Sequence, residues 1–279
     1  GASEAEARPL LDSLKVWWVV AAAVAVATLA GRIGAVVLLA GVSAVGLHEF
    51  FRLTEAGGRG GELRIDAYVA VGVGLLLVAL GEGMAFLVLF PPAALVWICV
   101  RLVLRDRAEG FLRAAGGWLL GVLLLGYAPA HGALLFSLPP DANPVAGGGG
   151  WFLALVVLDQ ASDIVQALVG RRIGARRIAP VLSPRKTWEG FLGGVVGTVL
   201  LALLLLPALT PLSAWESALA GVVIAGSGFV GDVTISGIKR EAGVKDSGSL
   251  LPGHGGMLDR IDSFLISAPA YYYLLILLT

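Results

Sequence analysis

The chain has 279 residues, of which 57% are hydrophobic and only 14% charged, with 20 Lys and Arg against 20 Asp and Glu and a mean hydropathy of +0.87. A soluble domain carries about 25% charged residues, so this composition excludes an ordinary globular enzyme and indicates a polytopic membrane protein. The zero formal net charge leaves nucleic-acid binding without support, and the single Cys99 excludes an internal disulfide.

Continuously apolar runs predict an all-α protein of about nine transmembrane helices, roughly 14–31, 33–53, 65–82, 83–104, 114–136, 151–170, 189–210, 217–238 and 263–279. The runs do not alternate, which argues against a membrane barrel. The first run follows a segment of mixed charge (Glu4, Glu6, Arg8, Asp12, Lys15), and it reads as a retained helix rather than a signal peptide. Gly81, Glu82 and Gly83 mark the break between the third and fourth spans, and Pro91-Pro92 predicts a kink in the fourth.

Threading nine spans from a cytoplasmic N-terminus places 19 of the 20 Lys and Arg inside and leaves Arg32 outside. The outer connector 137–150 has no Lys or Arg. No internal repeat is evident. Residues 1–150 read as a transmembrane scaffold that also offers dimer contacts, and 151–279 as the catalytic region of the same membrane domain.

In the sixth span Asp159, Asp163, Gln166 and Gly170 share one helical face. Asp163 lies about 12 Å below Arg171 at ~1.5 Å per residue. A carboxylate at that depth must line a wet cavity, meet a cation or join an interhelical hydrogen bond. In the eighth span Asp232, Ser236, Lys239 and Arg240 share a face, so Asp232 either pairs with Lys239 or Arg240 or faces a ligand. Between spans six and seven, Arg171, Arg172, Arg176 and Arg177 suit anionic lipid. Ser183-Pro184-Arg185-Lys186-Thr187 reads as a proline-fixed turn that offers hydroxyls and cations to a phosphate at a helix start. His48-Glu49 and His131 read as locally satisfied residues.

The polar stretch from Ser236 to Asp262 concentrates Lys239, Arg240, Lys245, Arg260, His254, Asp246, Asp259 and Asp262 among interleaved glycines. Cations, carboxylates and permissive backbone together are what a metal-bound polyphosphate needs. Asp259 and Asp262 lie three residues apart at the start of the last helix, where the dipole favours negative charge.

This stretch resembles the signature of the phosphatidate cytidylyltransferase (CDP-diacylglycerol synthase) family. Its fixed positions are filled by Ser236, Ile238, Lys239, Arg240, Lys245, Asp246, Gly248, Leu251, Pro252, His254, Gly255, Gly256, Met257, Asp259, Arg260, Ile261 and Asp262. Ser183 to Gly190 resembles the family's second hallmark, and Gly231-Asp232 the pair that precedes the signature. The resemblance covers roughly 150–279. Asp163-Ile164-Val165-Gln166-Ala167 keeps the aspartate of the family's sixth-span run but not the residues after it.

The resemblance implies transfer of a cytidylyl group from CTP to phosphatidic acid, with Mg²⁺, one ion or two, and a homodimer in the cell's inner membrane whose site faces the cytoplasm. Asp232, Asp246, Asp259 and Asp262 are then the expected metal ligands. Asp259, Lys239, Arg240, Lys245, Arg260 and His254 are the expected catalytic set. Ser183, Pro184, Lys186, Thr187, Ser236, Gly255, Gly256 and Asp163 are expected to bind substrate, with Gly255-Gly256 admitting a phosphate close to the backbone. Two other classes fit the residues: a CTP-dependent enzyme acting on another lipid phosphate or a polyprenol, and an ion or phosphate transporter.

Overall fold

The computed structural model describes residues 2–54, 61–106, 108–248 and 255–279, with side chains from residue 16 onward. The helices are α1 (Ala2–Leu29), α2 (Gly31–Thr54), α3 (Glu62–Leu80), α4 (Gly83–Val103), α5 (Phe111–Val122), α6 (Ala128–Leu134), α7 (Gly147–Ile173), α8 (Trp188–Leu209), α9 (Ala214–Glu241), α10 (Leu258–Ile261) and α11 (Phe264–Leu278). A π-helical turn, Leu123–Tyr127, joins α5 to α6, and α10 runs almost directly into α11.

Eight of the resulting segments are long and apolar enough to cross a membrane, among the described residues. The first expected span is the exception. Among the described residues its apolar part is Val16–Leu29, the described end of the longer helix α1. The break between α3 and α4 falls as expected. Gly81 has a φ of 91° and returns its N–H to Leu77 and Val78, closing α3 before Glu82 opens α4. Helix α4 continues through Pro91-Pro92.

The fifth span, Phe111–Ser137, is the axis of the bundle: 72% of its apolar window is buried, against 22% for α8 at the rim. Around it α7 packs along α8, α8 along α9, and α9 along α11. Outward positions such as Leu112, Leu204 and Leu277 are exposed hydrophobics, and Cys99 is exposed with them. That is the arrangement hydrocarbon solvent requires, since lipid rewards apolar surface as water does not.

Ion pairs tie α3 to α4 near one end of each helix. Arg101 reaches Asp66 at 2.6 Å and Arg105 reaches Glu62 at 2.8 Å, tying the end of α4 to the start of α3. Between α7 and α8 the chain forms an antiparallel hairpin of β1 (Arg177–Ala179) and β2 (Ser183–Thr187). The expected turn at Ser183 to Thr187 is therefore a strand. Thr187 ends it as the cap of α8, accepting from Gly190 N at 3.1 Å. Asp159 is buried mid-bundle, where the hydroxyls of Ser267 and Ser263 donate to it at 2.6 and 2.9 Å. It is the interhelical hydrogen bond of the sixth span.

Candidate active site

On strand β2 Pro184 and Arg185 are exposed, whereas Lys186 and Thr187 are turned in. The Lys186 ammonium lies 2.5 Å from Asp232 Oδ2 on α9 and 4.0 Å from Asp163 Oδ1 on α7. It also donates to Gln166 Oε1 at 3.4 Å and stands 5.5 Å from the Phe229 ring centroid. Burial alone pushes the Lys186 pKa down, but the carboxylates of Asp232 and Asp163 more than offset this and hold it above the usual lysine value. The residue stays an ammonium throughout the neutral range.

Asp262 completes the group. It lies within electrostatic reach of both Asp232 and Asp163. Helix α9 crosses the start of α11 so closely that a Cβ on Gly231 would overlap the carbonyl oxygen of Asp262. Only glycine permits that crossing, and the crossing is what brings Asp232 beside Asp262. Asp163, Asp232 and Asp262 thus gather near Lys186, with Lys239 also within electrostatic reach of Asp262, and Asp163 Oδ1 is buried without a hydrogen-bond partner. Carboxylate oxygens are the donor type that suits a hard divalent ion such as Mg²⁺. No group of three or more His, Cys, Asp or Glu side chains among the described residues is placed to hold a metal ion; Lys186 stands between two of the three carboxylates.

A second cluster organises the signature loop. Asp259 Oδ1 accepts from Lys239 Nζ at 2.6 Å, and its Oδ2 accepts from Ser247 N, Ser247 Oγ and Gly256 N, each at 2.9 Å. Of the two alternatives for Asp232, the pair with Lys239 or Arg240 does not form: Asp232 takes Lys186, and Lys239 takes Asp259. Both Asp259 oxygens accept from donors, so in this arrangement the residue holds the loop.

Asp163, Lys186, Asp232, Asp259, Arg260 and Asp262 all line one polar cavity of about 490 Å³. Other expected site residues lie apart from it. Arg240, Lys245 and Asp246 are exposed, and Arg240 donates to the Val244 carbonyl at 3.0 Å. Asp246 does not line that cavity. Ser183 pairs with Ala179 in the hairpin, and Pro184 is exposed on the same strand. Ser236 donates to Asp232 Oδ1 at 3.3 Å and supports the site indirectly. The space expected above Gly255 and Gly256 is filled by protein: a Cβ on Gly255 would lie 2.6 Å from Asp259 Oδ2, and one on Gly256 would overlap Ser247 Oγ. His254 lies outside the described residues.

Three contributors were not expected. Glu49 of α2, 3% exposed, accepts hydrogen bonds from Ser247, Met257 and Leu258. Its signal was a carboxylate inside an apolar span, near the basic end. Gln160 and Trp17 line the polar cavity and also, with Arg260, an apolar cavity of about 310 Å³ between α1, α2, α7 and α11. The remaining walls of that second cavity are almost wholly hydrocarbon, from residues such as Val20, Ala23, Leu39 and Phe152.

Fold and site define a polytopic membrane enzyme with a carboxylate–lysine centre open to a polar cavity. The chain belongs to the cytidylyltransferase family, whose family model matches residues 13–278. It is therefore a nucleotidyltransferase, as its resemblance implies. Over 206 residues it is 36% identical to the uncharacterized protein YnbB of Escherichia coli (strain K12), covering 74% of this chain and 68% of that one. A phosphatidate cytidylyltransferase of Pseudomonas aeruginosa is 38% identical over 202 residues, 65% of this chain and 67% of the relative. Another, from Synechocystis, is 41% identical over 119 residues, 42% of this chain and only 40% of the relative.

Proposed function

We propose that the protein transfers the cytidylyl group of CTP to phosphatidic acid, giving CDP-diacylglycerol and pyrophosphate, with its polar cavity facing the cytoplasm of a cell's inner membrane. The observation that carries this reading is the shared wall. Trp17, Gln160 and Arg260 border both the polar cavity and the apolar one, so a place for a water-soluble polyphosphate and a place for an acyl chain would lie side by side. The phosphatidate cytidylyltransferases among its relatives agree with this substrate pair. The side assignment is supported by the bias of Lys and Arg toward that face.

The chemistry follows from charge. A phosphatidate oxygen attacks the α-phosphorus of CTP as the bond to the β-phosphate breaks, and pyrophosphate leaves. The attacking phosphate is already anionic at neutral pH, so no strong general base is required. The obstacle is repulsion between two polyanions. Asp163, Asp232 and Asp262 would hold Mg²⁺, which when bound would neutralise phosphate charge and stabilise the leaving group. Lys186 is positioned to exchange part of its carboxylate pairing for phosphate oxygens. Arg260, at the junction of the two cavities, is positioned to orient the lipid phosphate. Lys239 and Asp259 hold the loop that carries Arg260 and Asp262.

The test is turnover of labelled CTP by the purified protein with phosphatidate, Mg²⁺ and a panel of other lipid phosphates and polyprenols. Formation of CDP-diacylglycerol and pyrophosphate in equal amounts is expected. A folded wild type that binds CTP but turns over only a different acceptor would overturn the phosphatidate assignment.

A further inference from the structure

Glu49 has a role that its place in the scaffold half conceals. Its carboxylate is buried, and no cation pairs with it among the described residues. Instead it takes three hydrogen bonds from one distant segment: Met257 N to Oε1 at 2.9 Å, Leu258 N to Oε2 at 2.9 Å, and Ser247 Oγ to Oε2 at 2.8 Å. The N–H groups of Met257 and Leu258 open helix α10 and have no partner within it. A negative charge there is favoured twice, by direct hydrogen bonds and by the helix dipole. Glu49 is thus a helix cap supplied by another helix.

The surrounding glycines fit the same contact. A Cβ on Gly248 would lie 2.8 Å from Glu49 Oε1, and one on Gly256 would overlap Glu49 Oε2. One turn earlier in α2, a Cβ on Gly46 would stand 3.5 Å from Leu258 and 3.7 Å from Ile261. The α2 flank therefore closes directly on α10, and both ends of the stretch 247–258 are fastened to one carboxylate.

We propose that Glu49 is a positioning residue for the transfer reaction: it fixes the start of α10 and so sets the direction in which Arg260 and Asp262 face the polar cavity. Glu49 does not line that cavity. It acts through the loop, where Ser247 Oγ, 2.8 Å from Glu49, is also 2.9 Å from Asp259 Oδ2. Ser247 has one hydroxyl proton to give, so Glu49 and Asp259 lean on the same group from two sides. The role assigned to Glu49 rests on the cytidylyl-transfer reading, whereas the capping itself does not.

The experiment compares the full-length wild type with Glu49→Gln, Glu49→Asp and, as a control on an exposed pair, Glu62→Gln. Turnover of CTP and phosphatidate is measured alongside hydrogen exchange of backbone amides. Glu49→Gln keeps the shape but turns a donor toward donors. It is expected to lower kcat about 10–100-fold, the range for losing a residue that orients a site, with little change in the KM for CTP. Exchange should accelerate at Met257 and Leu258 and not in α8 or the body of α9. Glu49→Asp keeps the charge and should recover part of both. Wild-type kcat in Glu49→Gln, or exchange accelerated uniformly along the chain, would overturn the proposal. A wild type that exchanges as described but does not convert CTP and phosphatidate would sink the transfer reading, and with it the catalytic role of Glu49, while leaving the cap in place.

Discussion

The Lys186 ammonium lies 2.5 Å from Asp232 Oδ2, although the whole of α8 separates β2 from α9 in the chain. Both side chains are only 19% exposed, so removing either leaves a charge with little water to replace its partner. Lys186→Met is expected to destabilise the protein by about 3–5 kcal/mol, the cost of orphaning one member of a buried pair, and to abolish turnover. Adding Asp232→Asn to Lys186→Met should return part of the stability without the activity. Thermal unfolding in detergent reads both; a Lys186→Met protein as stable as the wild type would contradict the pairing.

The metal assignment separates residues that the signature alone treats alike. Asp163→Asn, Asp232→Asn and Asp262→Asn are each expected to reduce Mg²⁺-dependent turnover by about 100-fold, the upper end for a damaged metal site. Asp246→Asn should keep near-normal activity, because Asp246 is exposed and outside the cavity. Mg²⁺ titration of each variant measures this. Equal losses in Asp246→Asn and Asp262→Asn would show that the loop rearranges to bring Asp246 inward.

Metal removal is the companion experiment. Chelation should stop turnover and Mg²⁺ should restore it, with no change in the unfolding temperature of the Asp163→Asn protein on adding Mg²⁺. A Mg²⁺-dependent rise in stability that survives in all three carboxylate variants would place the ion elsewhere.

The apolar cavity makes its own prediction. Ala23 lines it and does not line the polar cavity. Ala23→Phe adds a ring to a space of about 310 Å³, and is expected to raise the KM for phosphatidate while leaving that for CTP unchanged. Steady-state kinetics with each substrate varied in turn decides it. A change in the CTP constant alone would remove the cavity from the lipid path.

Asp159 is buried, accepts from Ser267 and Ser263, and does not line the polar cavity. Ser267→Ala removes the 2.6 Å hydrogen bond to it and should cost about 1–3 kcal/mol of stability with kcat preserved. A loss of turnover without loss of stability would move Asp159 into the site.

The sequence by itself determined the class of fold. Runs of apolar residues have one stable form in a bilayer, because each backbone N–H and C=O must be satisfied within its own helix. The break at Gly81-Glu82 was legible for the same local reason, since glycine tolerates the left-handed closing turn. The family was legible because a long polar stretch stands out in an oily chain, and Asp163, Lys186, Asp232, Asp259, Arg260 and Asp262 were all named before any geometry. Their partners were not. Helical periodicity says which residues share a face of one helix, and by that rule Asp232 belonged with Lys239 and Arg240. The crossing of α9 over Asp262 at Gly231, and the hairpin that swings Lys186 inward, gave Asp232 its partner and left Lys239 for Asp259. Glu49 is the extreme case: its contacts lie 198 and more residues away. Contacts between helices depend on how close two backbones can approach, and that distance exists only once the bundle has packed.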